Sequence, residues 1–239
     1  MSVRENEVYE FFNNTRNYLY SNSSIFLRRK IIAELLGTIS GKQIIDIGCG
    51  NGLVSNQYLK ENHVTFLDLS EQMLHEAKKL VPVDLINNAT FLNIPFEESS
   101  LRRNYDIVIL IGVLAHVRDI REVITKISDI TSRDSLCLVQ ITDKDRFIAK
   151  VLRGYSYLKR KITVSLYNRK PNYISKKDII RLFSEYNYLL EEQRVYMPTF
   201  PGFRYLRYET RAKFLNSSYK NIFTAIIGSE VILKFRKTC

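Results

Sequence analysis

The stretch Gln43–Gly52, QIIDIGCGNG, decides the fold. Ile44, Ile45 and Ile47 are β-branched and apolar, as a strand covered on both faces requires. Asp46 puts a charge near the strand's carboxyl end. Gly48, Gly50 and Gly52 then alternate with Cys49 and Asn51. Glycine permits positive φ and lets a ligand approach the main chain. A helix is expected to start at about Gly52 and run to Glu61, aiming its free N–H groups at the same spot. A second strand lies in HVTFLDLS, His63–Ser70, and ends in Asp68. An acid there, about 20 residues past the glycine turn, is placed to accept hydrogen bonds from two ribose hydroxyls. A nucleoside-containing ligand follows. Dinucleotide-binding turns carry G-x-G-x-x-G. Here the spacing is Gly48-x-Gly50-x-Gly52, and Asp46 stands two residues before the first glycine. That acid would repel a pyrophosphate but suits a ligand ammonium group.

Outward from this stretch, the pattern alternates strands with helices. Ser70 is placed to cap a helix over Glu71–Leu80, which stops before Pro82. A third strand is expected over Val83–Asn87. The fourth, Tyr105–Ile111, is continuous and aliphatic, hence central. A helix over Ile120–Thr131 and a strand over Leu136–Thr142 follow. Such alternation predicts an α/β fold with a doubly wound, mostly parallel sheet and ligands at the carboxyl ends of its strands. On the amino side, Val3–Leu36 has amphipathic helical spacing, broken at Ser21–Ser24. Val8, Phe11, Phe12 and Thr15 share one face there, and Ile25, Phe26, Arg29 and Ala33 another. On the carboxyl side, a basic helix is expected over Phe147–Lys161. Ser175 caps a further helix, Leu189–Tyr196 reads as a sixth strand, and Glu230–Phe235 as a last one. The expected organisation is a helical cap over 1–41, a ligand-binding core over 42–142, and a C-terminal part over 143–239 that completes the sheet.

At these residues the chain resembles the class I S-adenosylmethionine-dependent methyltransferases. IIDIGCGNG looks like their first motif, and FLDLSEQML like the segment with their ribose-binding acid. IPFEESSLRRNYDIVILIGVLAHV, Ile94–Val117, looks like their following loop, fourth strand and strand end. The resemblance covers Lys42–Thr142 well and the C-terminal part thinly. It implies a seven-stranded Rossmann-like sheet whose last strand is antiparallel and inserted between strands five and six. It implies S-adenosyl-L-methionine as cofactor, with the Gly48, Cys49, Gly50 and Gly52 turn at the methionine part. Asp46 would reach the ammonium and Asp68 the ribose, with Leu69 flanking the adenine. For the adenine amino group, Asn88–Ala89 is the preferred match and Asn93 its competitor. Ile111 and Gly112 end the fourth strand beside the cofactor's amino-acid part. His116 is the one histidine near the expected methyl site, and its ordinary pKa suits a general base. A plain structural role for it is the competing assignment. Members of this family often carry Glu before that histidine, where this chain has Ala115. The polar–Pro–Pro–aromatic motif of base-amine methyltransferases is replaced by LIGVLAHV, which argues against that chemistry.

Composition bounds the rest. The net charge is +11. Up to Thr142 there are 15 Lys and Arg against 17 Asp and Glu, and after it 21 against 8. An acidic partner for the C-terminal part fits this asymmetry, whether an anionic small molecule, an anionic membrane surface or nucleic acid. Cys49, Cys137 and Cys239 are widely spaced and lack metal-site pairing, and with three scattered histidines no metal site is expected. No apolar run reaches the roughly 18 residues of a transmembrane helix. The N-terminus has no secretory pattern, so a cytoplasmic location is expected. The function expected is methyl transfer from S-adenosylmethionine to a small molecule or saccharide, at oxygen. The alternatives are an RNA- or protein-modifying methyltransferase and a binding-only relative.

Overall fold

The computed structural model describes residues 22–102, 104–146, 150, 172, 174–196, 206–207, 209–210, 213–214 and 228–239. The expectations for Val3–Ser21, for all but Lys150 of Phe147–Lys161 and for most of 197–228 lie outside these residues.

Seven strands form one sheet. They are β1 (Gln43–Ile47), β2 (His63–Leu67), β3 (Ala89–Leu92), β4 (Tyr105–Leu110), β5 (Thr131–Thr142), β6 (Tyr188–Tyr196) and β7 (Glu230–Lys237). Their order across the sheet is β3-β2-β1-β4-β5-β7-β6. β3 through β5 run parallel, while β7 pairs antiparallel with both β5 and β6. This is the Rossmann-like arrangement expected, with the last strand inserted between the fifth and sixth. β1 and β4 are central, and Ile44, Ile45, Val108, Ile109 and Leu110 are fully buried.

Among the described residues four α-helices pack on the two faces: α1 (Asn22–Leu36), α2 (Glu71–Lys79), α3 (Ile120–Asp129) and α4 (Lys176–Ser184). Ser70 caps α2 by accepting from Met73 N, Asp119 caps α3 through Arg121 N and Glu122 N, and Ser175 caps α4 through Lys177 N. One face of the sheet carries α1, with Ile25, Ile31, Ile32 and Leu35 set into its core. The other carries α3 and α4, around Val123, Ile124, Ile179 and Phe183.

The structure departs from the sequence expectations in three places. No α-helix follows Gly52. Residues 53–61 form turns around a short 3-10 helix, Asn56–Tyr58. The carbonyls that would feed an α ladder go to side chains instead. Leu53 O accepts from Arg29 Nη1 at 3.1 Å and Val54 O from Gln57 Nε2 at 2.7 Å. The third strand is displaced. Val83–Asn88 is a 3-10 helix launched by Pro82, and β3 begins only at Ala89. Finally, α1 turns Phe26 outward at 57% exposure and buries the stripe Ile25, Ile32 and Leu35. Arg29, in the stripe expected to be buried, instead grips residues 53–57.

The α4 face is held by aromatic packing. The Phe183 ring stacks on Phe235 at 4.2 Å between centroids and meets Tyr188 edge-on at 5.3 Å. All three are buried. Phe183→Ala is expected to lower unfolding free energy by about 3–5 kcal/mol, measured by urea denaturation.

Candidate active site

The site is built where β1, β2 and β4 end. After Ile47 the chain reverses at Gly48, and the N–H groups of Gly48 and Cys49 both donate to Leu67 O, at 2.7 and 3.1 Å. Gly48 has φ +67°, and a Cβ there would lie 2.4 Å from Val113 Cγ2. Only glycine satisfies both constraints. Gly50 N donates to Asp68 Oδ2 at 2.7 Å, and Ser70 N to Asp68 Oδ1 at 2.9 Å. The turn and the acid are therefore one hydrogen-bonded unit. Burial pushes the Asp68 carboxyl above the usual range, and the N–H groups of Ser70, Gly50 and Leu69 pull it back.

Asp46 is 2% exposed at the end of β1. Ser55 Oγ donates to its Oδ2 at 2.6 Å. Burial pushes its carboxyl up to about 7, with Asp68 adding repulsion and Ser55 opposing both. A cleft opens over this carboxylate. Its walls are Asp46, Gly48, Cys49 and Asn51 from the turn, Val54, Ile111 past β4, and Ile25 and Arg28 from α1. Arg28 Nε donates to Tyr196 OH at 3.1 Å. The Cys49 thiol is buried and held well above its usual pKa by desolvation, then by Asp68 and Asp46. It is therefore not a nucleophile here.

The structure gathers Asp46, Gly48, Cys49, Gly50, Gly52, Asp68 and Leu69 at one end of the sheet. Ile111 lines the cleft, and Gly112 beside it takes φ +78°. Asn88 and Ala89 are not brought to this end of the sheet. Ala89 opens β3, in register with Val64 near the start of β2, and Asn88 Nδ2 donates to Leu59 O at 2.9 Å. They lie toward the amino end of the sheet. Asn93 is at the carboxyl end, and its Nδ2 donates to Asp68 O and Leu69 O at 3.0 and 2.9 Å. His116 sits in the turn after β4, where its N–H donates to Val113 O at 2.8 Å. It is not among the residues lining the cleft. That turn is latched by Asn172, whose N–H meets Ala115 O and whose amide meets Leu114 O and Val117 O. Arg28 and Ser55 were not anticipated. Arg28 lies three residues past Ile25 on the same helix face, a signal that needed the correct helix phase. Among the described residues no cluster of His, Cys, Asp or Glu could hold a metal ion.

The methyltransferase-domain family model matches residues 20–193. The chain belongs to that family, as a class I S-adenosylmethionine-dependent methyltransferase. A ubiquinone biosynthesis O-methyltransferase of Shewanella halifaxensis is 25% identical over 159 residues, 65% of this chain and 67% of that protein. Another, of Nitrosomonas europaea, is 36% identical over 101 residues, 41% of this chain and 43% of its own length. The chain thus spans about two thirds of the first and about two fifths of the second. Among solved structures, the magnesium protoporphyrin IX methyltransferase of Synechocystis with bound S-adenosylhomocysteine superposes with a TM-score of 0.67. It is 17% identical and covers 98% of this chain and 100% of that one, a likeness of fold. No helix among the described residues is long and apolar enough to cross a membrane.

The Asp46 carboxyl sets a testable pH signature. Its proton is held more tightly in the folded than in the unfolded chain. The folded state therefore binds more protons between the usual carboxyl range and about 7, and stability falls as pH rises through that window. Asp46→Asn is expected to flatten that slope in pH-dependent melts. Ser55→Ala removes the opposing hydrogen bond and is expected to shift the titration upward, read by carboxyl NMR.

Proposed function

We propose that this chain transfers the methyl group of S-adenosylmethionine to a hydroxyl oxygen of a small molecule. The observation that carries the cofactor part is the cleft itself. One carboxylate, Asp46, and one guanidinium, Arg28, line it together, beside a turn that is hydrogen-bonded to Asp68. A zwitterionic amino-acid end matches such a pair, with its ammonium at Asp46 and its carboxylate at Arg28. Asp68 then receives the ribose hydroxyls, and Leu69 and Asn93 border the adenine. The repulsion between Asp46 and Asp68 favours a cationic ligand between them, and the cofactor brings both an ammonium and a sulfonium.

The reaction is an in-line displacement at carbon. The acceptor oxygen attacks the methyl group, the carbon–sulfur bond breaks with its electron pair going to sulfur, and the neutral thioether leaves. Because the leaving group is already activated, holding the two reactants at contact supplies most of the rate. Oxygen as the acceptor atom is supported by the names of the two relatives above. An anionic acceptor is supported by the excess of 21 basic over 8 acidic residues after Thr142. A phosphate-bearing saccharide remains one candidate within that class. His116 is assigned a structural role in the turn it occupies.

Two experiments test this assignment. Incubating the protein with methyl-labelled cofactor and fractionated extract is expected to put label into small molecules at base-stable positions. Label entering RNA or protein instead would overturn it. Asp68→Ala removes charged acceptors for two hydroxyls, each bond being worth roughly 1.5–3 kcal/mol. S-adenosylhomocysteine affinity is expected to fall at least about tenfold by calorimetry, and unchanged affinity would sink the cofactor assignment.

A further inference from the structure

A second polar cluster lies past the cleft and shares Arg28 with it. Thr142 and Tyr196 both flank Glu230, in register across β5, β7 and β6. Thr142 Oγ1 donates to Glu230 Oε1 at 2.8 Å. Gln140 Nε2 donates to Glu230 Oε2 at 2.5 Å. The Gln140 side chain is buried, with the residue 5% exposed, and its Oε1 has no hydrogen-bond partner among the described residues. This oxygen faces Gly112. A Cβ built on that glycine would lie 4.0 Å from Oε1 and 3.8 Å from Arg28 Nη1.

The orientation of the amide is dictated by its partner. A side-chain amide has one donating and one accepting end, and a carboxylate only accepts. Glu230 therefore holds Nε2 and turns Oε1 toward Gly112. Burial raises the Glu230 carboxyl, while Thr142, Arg28 and Gln140 favour its charged form. A buried acceptor oxygen without a partner is uncommon in folded chains.

We propose that Gln140 Oε1 accepts the hydrogen bond of the methyl acceptor's own O–H group, and that Glu230 is the positioning residue that fixes the amide for it. This rests on the methyl-transfer assignment above. Strand order separates this oxygen from the cofactor's ammonium. β4 lies between β1 and β5, and neighbouring strands are about 4.8 Å apart, so Gln140 is about 10 Å across the sheet from Asp46. The ammonium is met at Asp46, and Gln140 stands beyond β4, on the other side of Gly112. Such a site selects a protonated hydroxyl over an alkoxide or an ether, because an amide oxygen repels the first and gains nothing from the second. During transfer the oxygen lone pair forms the new bond to carbon and the carbon–sulfur pair goes to sulfur. The acceptor's proton passes to solvent. Sites built around a hydrogen bond to a hydroxyl discriminate strongly against analogues that lack it.

Catechol and its dimethyl ether serve as probes, with binding followed by calorimetry on the protein saturated with S-adenosylhomocysteine. Catechol is expected to bind about tenfold more tightly than the ether. Gln140→Leu is expected to abolish that preference while leaving S-adenosylhomocysteine affinity within about twofold, and Glu230→Gln to narrow it. Should the leucine variant fail to fold, Gln140→Met gives the same readout. Equal binding of the two probes, or no binding of either, overturns the proposal. So does a tenfold loss of S-adenosylhomocysteine affinity in the Gln140 variants, which would hand this oxygen to the cofactor's ammonium. A parent protein that does not bind S-adenosylhomocysteine at all would instead overturn the methyl-transfer assignment.

Discussion

The carbonyl of Leu67 receives two backbone N–H groups, from Gly48 and Cys49, and through them β1 and β2 are pinned at their carboxyl ends. This is possible only because the chain reverses with no side chain at Gly48, where Val113 closes the space from beyond β4. Three strand ends thus converge on one residue. The rest of the site follows from that convergence. Gly50 is brought to Asp68, Asp46 is left under the turn with Ser55, and Arg28 is laid across the top by α1. A larger residue at position 48 would disturb both the turn and the strand end that carries Ile111 and Gly112.

Two carboxylates lie under this turn, each held by uncharged donors. Asp46 is satisfied by a hydroxyl and Asp68 by backbone N–H groups. Burial and mutual repulsion raise the Asp46 carboxyl toward neutrality. Such a site is poor for a pyrophosphate and well suited to a cation. The single spacing difference between G-x-G-x-G and G-x-G-x-x-G therefore goes with a difference in the sign of the charge the turn receives.

Much of this was legible in the sequence, for physical reasons. Aliphatic runs such as Tyr105–Leu110 can only be buried strands, and Gly48 and Asp68 have few alternative roles at that spacing. The seven-stranded sheet and the inserted antiparallel β7 followed from resemblance, and the strand order and pairing agree with them. What failed were segments decided by side chains bonding to the main chain. The helix expected after Gly52 is lost to Arg29 and Gln57, whose targets lie in the backbone and leave no periodic trace. Pro82 launches a 3-10 helix where a strand was expected, which moved β3 and left Asn88 toward the amino end of the sheet and Asn93 at its carboxyl end. Arg28 was invisible until the phase of α1 was known. Gln140 and Glu230 meet across 90 residues of sequence, and no local pattern joins them.

Arg29 also links α1 to the segment around Val54, which lines the cleft. Its guanidinium reaches Leu53 O, Asn56 Oδ1 and Gln57 Oε1. These bonds stand in for the helical ladder that residues 53–61 do not form. The short 3-10 turn has little intrinsic stability, since one turn cannot repay its own nucleation. Undocking of α1 and loosening of the glycine platform are then a single cooperative opening event rather than two. Helix α1 is thereby a thermodynamic part of the cleft, and a change that lowers its docked fraction lowers apparent ligand affinity in proportion to that fraction.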